Sequence, residues 1–250
     1  MGRCVAILGG TAVAGELAVE LAGRRGIRVI STVAGRGRAP RLPAEVRVGG
    51  FGGPRGLADW LVSERVTAVV DATDPFADRI SAAAAKAARY AGVPLVLLRR
   101  PAWRPGPGDE WHWADSLAEA AGMVPGLGTR VLLTAGSHGP AAFARSGRWF
   151  LIRCAEPPGL PLPPRKELVL ARGPYTVDGE RDLLTTHEID LLVTRDAGGD
   201  HAARLVAARD LGLPVVVVRR PASPGVPVAG TVGEAVAWLG GVDGQRPPSG

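Results

Sequence analysis

Short aliphatic runs alternate along the chain with Ala-, Leu- and Arg-rich stretches in which apolar residues recur at helical spacing. The aliphatic runs predict strands at residues 5–8, 29–33, 68–70, 95–98, 131–134, 149–152, 168–170, 191–194 and 215–218. The stretches between them predict helices at residues 13–24, 56–64, 78–90, 116–123, 140–145, 178–187, 202–211 and 232–239. Apolar strands separated by helices are typical of a parallel sheet that is covered on both faces. The pattern therefore predicts an α/β fold.

A weak internal repeat organises the chain. Residues 66–101 and residues 189–221 both run through a strand, a polar loop, an Ala-rich helix, an apolar strand and Arg-Arg-Pro. Two unrelated strand-helix-strand units also look alike, so that alternative stays open. We favour two Rossmann-like halves with mainly parallel sheets and an inter-domain cleft. The expected boundaries are residues 1–125 for an N-terminal domain, 126–240 for a C-terminal domain and 241–250 for a flexible tail.

The first predicted strand ends in Gly9, Gly10 and Thr11, directly before a predicted helix. Small residues at such a turn let the backbone approach a phosphate, which the N–H groups and the dipole of the helix then bind. The spacing differs from G-x-G-x-x-G, and a purely structural turn is the alternative. We predict that these residues bind the pyrophosphate of a dinucleotide.

The second predicted strand lacks the acidic residue that NAD-binding folds place near its end for the ribose 2′-hydroxyl. Ser31 stands there instead, and Gly35 and Arg36 follow in an arginine-containing loop. A guanidinium accommodates a 2′-phosphate, so we predict that these residues bind NADP(H) and that residues 1–125 form the NADP-binding domain. A solvated basic loop without a ligand is the alternative.

Charge and composition narrow the class of partner. The 30 Lys and Arg residues exceed the 24 Asp and Glu residues, which gives a net charge of +6 and favours an anionic partner. Almost all the basic residues are scattered arginines, which favours a small polyanion over nucleic acid. Without a leader or a long apolar run, we expect a cytoplasmic protein that does not enter a membrane. The histidines and cysteines show no metal-ligand spacing, so we expect no metal and an organic cofactor.

Several motifs in the same order and spacing resemble the precorrin-6A reductase / cobalt-precorrin-6A reductase family. The most specific are Gly-Gly-Phe-Gly-Gly at residues 49–53 and Asp-Ala-Thr-Asp-Pro-Phe-Ala at residues 71–77. Weaker matches lie at residues 8–11, 31–36, 100–103, 171–175, 189–199 and 218–221. The resemblance spans nearly the whole chain.

This resemblance implies NADPH-dependent reduction of a ring double bond of precorrin-6A, giving precorrin-6B, in cobalamin (vitamin B12) biosynthesis. The implied substrate is a tetrapyrrole with many carboxylates. The cobalt-bearing analogue of the anaerobic pathway is an alternative substrate, and a non-catalytic NADPH-binding module is an alternative function. A monomer is compatible with the sequence, which leaves the oligomeric state open.

Two further segments are expected to contact the cofactor. Asp71, Ala72 and Thr73 directly follow a buried strand, so they lie at the carboxyl edge of the sheet, where a ribose or nicotinamide binds. Gly50 and Gly52 belong to a segment too rich in glycine for a strand interior. We expect a loop that wraps the cofactor there, with a simple tight turn as the alternative.

We predict that the C-terminal domain, residues 126–240, binds the substrate and contributes to the cofactor site. Arg172 and Arg195 are predicted to attract substrate carboxylates, because a guanidinium forms strong paired hydrogen bonds with a carboxylate. Gly198 and Gly199, in the loop after the strand that precedes Arg195, are predicted to lie against the substrate. Surface arginines paired with nearby acids are the alternative for each guanidinium.

Tyr175, His138 and Asp196 are the candidate proton donors, and the sequence does not rank them. The chain departs from the family pattern at Asp74, where the family usually has histidine. A histidine at that position therefore cannot be an obligatory proton donor if this chain is active. We predict that Asp74 caps the helix that follows Pro75.

Overall fold

The structure, a computed structural model, describes residues 2–33, 42–199 and 202–242. The chain divides into two compact units, one formed by Met1–Pro101 with Pro221–Gly250 and the other by Ala102–Arg220. Each unit holds a six-stranded sheet, and every strand pair described is parallel. The predicted α/β fold with two Rossmann-like halves is confirmed. The predicted cleft between them stays a prediction.

The strands of the described chain are β1 (Arg3–Gly9), β2 (Ile27–Val33), β3 (Glu45–Val48), β4 (Ala68–Asp71), β5 (Leu95–Leu98), β6 (Trp111–Ala114), β7 (Arg130–Thr134), β8 (Trp149–Cys154), β9 (Arg165–Leu170), β10 (Leu191–Arg195), β11 (Val215–Val218) and β12 (Val228–Ala229). The helices are α1 (Ala12–Ala22), α2 (Pro54–Ser63), α3 (Asp78–Ala91), α4 (Leu117–Leu127), α5 (Val177–Thr186), α6 (Ala203–Asp210) and α7 (Val232–Val242). The hydrophobic pattern did not predict the short strands β3, β6 and β12.

The first unit has the strand order β3-β2-β1-β4-β5-β12. Alternate residues of β1 point to opposite faces of this sheet, and both faces are buried. Val5 and Ile7 pack in a core with α1 and α7, whereas Ala6 and Leu8 pack in a second core with α2 and α3. Burial on both faces explains why β1 reads as a continuous apolar run.

The second unit repeats this topology as β9-β8-β7-β10-β11-β6. Between β7 and β8 it has a 3-10 helix, Gly139–Phe143, where the sequence predicts an α-helix at residues 140–145. Fewer residues join β7 to β8 than join β1 to β2, so less chain is available for a helix. The second unit therefore lacks a counterpart of α1.

The structure divides the chain differently from the expected boundary between residues 125 and 126. The chain enters the second unit after Pro101, where β6 pairs with β11, and returns to the first unit after Arg220, where β12 pairs with β5. Strand β6 follows the first half of the repeat but pairs in the sheet of the second unit. Strand β12 follows the second half but pairs in the sheet of the first unit. Strand pairing between segments so far apart in sequence leaves no local signal.

Helix α7 begins with the capping box that its sequence indicates. The N–H of Glu234 donates to Thr231 Oγ1 at 3.1 Å, and the N–H of Gly230 donates to Glu234 Oε2 at 2.8 Å. The helix extends to Val242, and residues 243–250 of the expected tail lie outside the described residues.

Three further features of the described chain bear on its chemistry. Cys4 and Cys154 are buried, and burial raises the pKa of both thiols, as expected for core residues. None of the described helices is long and apolar enough to cross a membrane. The same residues contain no group of three or more potential metal ligands.

Candidate functional site

The turn between β1 and α1 is closely packed. Gly10 has a φ of 119°, which favours glycine, and a Cβ built at Gly9 would lie 3.1 Å from the Cβ of Ala14. Thr11 caps α1 by accepting from the N–H of Ala14 at 3.3 Å, and its hydroxyl donates to the carbonyl of Ala72 at 2.7 Å. The N-terminus of α1 is thereby held at the carboxyl edge of the sheet, an arrangement suited to binding phosphate.

A cavity of about 470 Å³ lies beside this turn, and mostly apolar surface surrounds it. Its wall is formed by Leu8, Gly9, Gly10, Thr11, Thr32, Gly49, Gly50, Phe51, Gly53, Leu57, Thr73, Asp74, Ala77, Arg79, Ile80 and Ala83. The structure therefore brings together five of the predicted cofactor-binding residues, namely Gly9, Gly10, Thr11, Gly50 and Thr73. An apolar cavity of this size suits the flat face of a heteroaromatic ring.

Residues 49–53 form the loop on one side of the cavity. Positive φ angles occur at Gly49 (113°), Gly52 (75°) and Gly53 (102°), so this backbone path requires glycine. Arg47 holds the loop from outside, because its guanidinium donates to the carbonyls of Gly49 and Gly50 at 3.0 and 3.2 Å. Its Cζ also lies 4.0 Å from the centre of the Phe51 ring. The contacts with Arg47 thus hold the loop in place as one wall of the cavity.

Asp71 and Thr73 form a compact turn at the end of β4. The buried Oδ1 of Asp71 accepts from the Thr73 N–H at 3.0 Å and from the Thr73 hydroxyl at 2.6 Å. Asp71 Oδ2 is also buried and has no hydrogen-bond partner among the described residues. A buried oxygen without a donor marks a place where a bound group can supply one.

Asp74 shapes the loop that follows. Its Oδ1 accepts from the N–H of Phe76 at 2.8 Å, and its carbonyl accepts from the N–H of Ala77 at 2.8 Å. Helix α3 has Ala77 at its N-cap and no side-chain cap, so the prediction that Asp74 caps this helix is wrong. The physical reason is that the turn begun by Asp74 ends at Ala77, and the helix begins only at Asp78.

Ser31 lies behind the glycine turn and not on the cavity wall. It is buried, and its Oγ lies 3.6 Å from the position of a Cβ built at Gly9. Thr32, the next residue of β2, faces the cavity instead. Gly35 and Arg36, the other residues predicted to distinguish NADP from NAD, lie outside the described residues. Their assignment stays a prediction.

Sequence reasoning missed the contribution of α3 to the cavity. Arg79, Ile80 and Ala83 line it from the first two turns of that helix. The predicted helix at residues 78–90 contains them, and Ala83 lies three residues after Ile80 and four after Arg79, the spacings that place side chains on one helical face. The helical spacing placed these residues on one face of α3. No feature of the neighbouring sequence distinguished this face from the face that packs on the sheet.

In the second unit, a buried ion pair lies near the carboxyl edge of the sheet. Arg153, on β8, donates from both terminal nitrogens to the two oxygens of Glu180 on α5, at 3.0 and 2.8 Å. The guanidinium also stacks on the ring of Tyr175 at 4.1 Å. The Tyr175 hydroxyl donates to the carbonyl of Ala171 at 2.8 Å, and the side chain is partly exposed. Sequence reasoning missed Arg153 and Glu180.

Arg204, in the first turn of α6, lies in the same region and was also missed. Its Nε donates to Thr194 Oγ1 at 3.2 Å, and its Cζ lies 5.4 Å from the centre of the Trp103 ring. The pKa of Arg204 is lowered to about 10, first because burial removes water from the guanidinium and second because the positive charge of Arg153 is close. The environment of Arg204 thus disfavours the charged form of its guanidinium.

Asp196 belongs to a structural network. Its side chain is 4% exposed and forms an ion pair with Arg220 at 3.1 Å. The same Oδ1 accepts from the N–H groups of Trp103 and Gly198 at 3.2 and 3.0 Å. These three contacts hold one oxygen of the carboxylate in place. This environment favours a role in holding the loop after β10 over the predicted role as proton donor.

The remaining predicted residues of the second unit are dispersed. Arg195 packs against Gly136, because a Cβ built there would lie 2.9 Å from its guanidinium. Arg172 is exposed and forms an ion pair with the exposed Glu156 at 2.9 Å. His138 is exposed, and its Nδ1 lies 3.4 Å from the hydroxyl of Ser137. Gly198 and Gly199 have φ angles of 67° and 86° in the loop after β10.

Comparison with known proteins assigns the family. Residues 4–240 match the model of the precorrin-6x reductase CbiJ/CobK family. The chain belongs to this family. The precorrin-6A reductase of Rhodococcus erythropolis is 50% identical over 242 residues, covering 94% of this chain and 97% of that protein. The Mycobacterium tuberculosis H37Rv precorrin-6A reductase is 46% identical over 243 residues, covering 95% and 98%. A solved structure of CobK precorrin-6A reductase matches with a TM-score of 0.89 and 40% identity, covering 96% and 97%.

As a member of the precorrin-6x reductase family, the protein is an oxidoreductase. The geometry of its first unit fits a dinucleotide: a glycine turn that an added Cβ would crowd, a helix N-terminus and an apolar cavity lie together at one sheet edge. The second unit of this reductase contributes arginine side chains at the corresponding edge. The two edges therefore differ in their chemistry.

Proposed function

We propose that this protein reduces one ring double bond of precorrin-6A to give precorrin-6B, with NADPH as the electron donor. The observation that carries the proposal is the packed Gly9–Thr11 turn beside the apolar cavity, in a chain that belongs to a reductase family. Bound NADPH supplies the hydride. The residues of the chain bind the two reactants, orient them and supply a proton.

The first unit would hold the cofactor. We assign the pyrophosphate to the N-terminus of α1, because Gly9 and Gly10 let it approach the backbone N–H groups. The cavity beside it would take the adenine, with the Phe51 loop as one wall and Ile80 of α3 as another. Arg47 would keep that wall in place, since it holds two loop carbonyls.

Specificity for NADPH over NADH is assigned to the end of β2 and the loop that follows. No carboxylate stands at Ser31 or Thr32 to repel a 2′-phosphate, and Arg36 would bind it. Asp71, Ala72 and Thr73 would contact a ribose or the nicotinamide. Thr11 supports this assignment, because its hydroxyl ties the glycine turn to the carbonyl of Ala72.

The second unit would supply positive charge for the carboxylates of the tetrapyrrole. We keep Arg172, Arg195, Gly198 and Gly199 as the proposed substrate-binding residues. Tyr175 and His138 remain the proposed proton donors, since both side chains reach the protein surface and neither lies in an ion pair among the described residues. Buried, ion-paired Asp196 is less suited to that role.

The test is a spectroscopic assay with purified protein, NADPH and precorrin-6A. We expect the nicotinamide absorption band to fall as the tetrapyrrole spectrum changes, in equal molar amounts. Parallel reactions with NADH and with cobalt-precorrin-6A measure cofactor and substrate preference. NADPH binding without oxidation, in the presence of either tetrapyrrole, would overturn the proposal in favour of a non-catalytic NADPH-binding module.

A further inference from the structure

Arg204 lies among charged side chains near the carboxyl edge of the second unit's sheet. Arg153 and Glu180 form a buried pair whose charges balance each other. Arg204 lies close enough to this pair, and to Arg195, to interact with them electrostatically. No carboxylate of the described residues lies within ion-pairing distance of Arg204. The edge of this sheet is therefore arranged to attract an anion.

Arg204 is held firmly although no acid of the described residues forms an ion pair with it. A guanidinium has five N–H donors, and one of them, at Nε, donates to Thr194 Oγ1. The Thr194 hydroxyl is itself fixed by accepting from the Thr134 hydroxyl at 2.9 Å. The face of the guanidinium lies near the Trp103 ring. These contacts orient the planar group, and no carboxylate in the described part of the chain pairs with its terminal nitrogens.

This arrangement costs stability, because a partly desolvated charge without a counterion is unfavourable in the folded state. The lowered pKa of Arg204 has the same cause, because the charged form of the guanidinium is disfavoured in this environment. Proteins keep such groups mainly at functional sites, where a ligand restores the balance. Arg204 stands beside the carboxyl end of β10, which is the edge where Rossmann-like sheets bind ligands.

We propose that Arg204 binds a carboxylate of the tetrapyrrole substrate through its terminal nitrogens, oriented by Thr194 and Trp103. This inference rests on the proposed function for the identity of the substrate. A carboxylate matches the planar fork of a guanidinium and neutralises its charge. The other anion available to the protein is a phosphate of NADPH, which we assign to the first unit.

Arg204→Gln tests the proposal through equilibrium titration of the protein with precorrin-6A, without NADPH. We expect the dissociation constant to rise about tenfold or more, because one charge-assisted contact is lost. Arg204→Lys keeps the charge without the planar fork and is expected to lie between Gln and wild type. Arg181→Gln is the matched control, because Arg181 is paired with Asp178 and Asp210 on the surface of the same unit.

Two further readouts separate binding from a structural role. Arg204→Gln is expected to melt at the wild-type temperature or above it, since a partly desolvated charge without an ion-pair partner among the described residues is removed. A melting temperature several degrees lower, or failure to fold, would overturn the proposal in favour of a structural arginine. The NADPH dissociation constant is expected to stay within about twofold of wild type, because the cofactor site lies in the first unit. Weaker NADPH binding would instead assign Arg204 to a cofactor phosphate.

The same titrations distinguish this proposal from the proposed function. If wild-type protein binds precorrin-6A but does not reduce it, the proposed function fails and the role of Arg204 is still measured. If Arg204→Gln binds precorrin-6A as tightly as wild type while reduction proceeds, the role of Arg204 fails alone. If wild-type protein does not bind precorrin-6A, both proposals fail.

Discussion

The two units share one strand order but differ where their first strand ends. In the first unit, β1 runs through a glycine turn into the 11-residue helix α1. In the second, β7 is followed by a 3-10 helix of five residues. A long α-helix concentrates partial positive charge at its N-terminus, whereas five residues of 3-10 helix align few peptide dipoles. The first unit therefore presents an α-helix N-terminus suited to an anion at this position, whereas the second presents only a short 3-10 helix.

The second unit carries side-chain charge instead. Arg153, Arg195 and Arg204 lie near the carboxyl edge of its sheet, whereas the cavity of the first unit has one arginine, Arg79, in its described wall. Phosphate is bound well by a compact set of backbone N–H groups. Carboxylates spread over a large ring are reached better by long arginine side chains. On the proposed assignments, one topology therefore supports two kinds of anion recognition.

The largest expected effect concerns the ion pair that distinguishes the second unit. Glu180→Gln leaves Arg153 buried without its counterion, so the free energy of unfolding should fall by about 3–5 kcal/mol. Denaturant titration measures this loss. The matched control is Glu156→Gln, whose exposed pair with Arg172 should contribute at most about 1 kcal/mol. Equal losses in the two variants would contradict the importance assigned to burial of the Arg153–Glu180 pair.

The next effect concerns the glycine turn that distinguishes the first unit. Gly9→Val should weaken NADPH binding on the order of 100-fold, because the branched side chain pushes the start of α1 away from β1. Fluorescence titration of NADPH gives the dissociation constant, and a melting curve checks the fold. Gly122→Ala, where an added Cβ meets nothing within 4 Å, is the control and should bind NADPH normally. Normal binding by Gly9→Val would place the cofactor elsewhere.

Arg36→Ala tests how far anion recognition in the first unit also uses a side chain. Loss of one charge-assisted contact to the 2′-phosphate should cost about 1.5–3 kcal/mol, or roughly tenfold or more in NADPH affinity. NADH lacks that phosphate, so its affinity should stay unchanged. Titration of the variant with both cofactors provides the measurement. If NADPH binds the variant and the wild type equally well, this arginine does not select the cofactor.

The smallest expected effect is at Asp74, which belongs to the cavity wall of the first unit. Asp74→Asn keeps the acceptor oxygen for the Phe76 N–H, so turnover should stay within a few-fold of wild type. Loss of a general acid would instead reduce the rate by about 10²–10⁴. Single-turnover oxidation of NADPH distinguishes the two. A loss of a hundredfold or more, with cofactor affinity intact, would make Asp74 a proton donor.

Features that depend on near neighbours in sequence were predictable. Apolar runs such as Val215–Val218 identified strands, and the Thr231–Glu234 capping box marked the start of α7. The Gly9–Thr11 turn before α1 could be recognised from its glycines and its capping threonine, because turn chemistry and helix termini are local properties. Hydrophobic periodicity also sufficed for the α/β class, since both sheet faces must be buried whatever the order of the strands.

Tertiary structure alone decided the features that join distant segments. Val228 pairs with Leu97 and Trp111 pairs with Val215, so the edge strands exchange between the units and the expected boundary was displaced. The environment of Arg204 likewise depends on Thr194, Trp103 and Arg153, which come from separate elements. A sequence shows that an arginine is present. Whether that arginine is solvated, paired or held without a counterion is decided by packing, because desolvation and charge depend on distances in space.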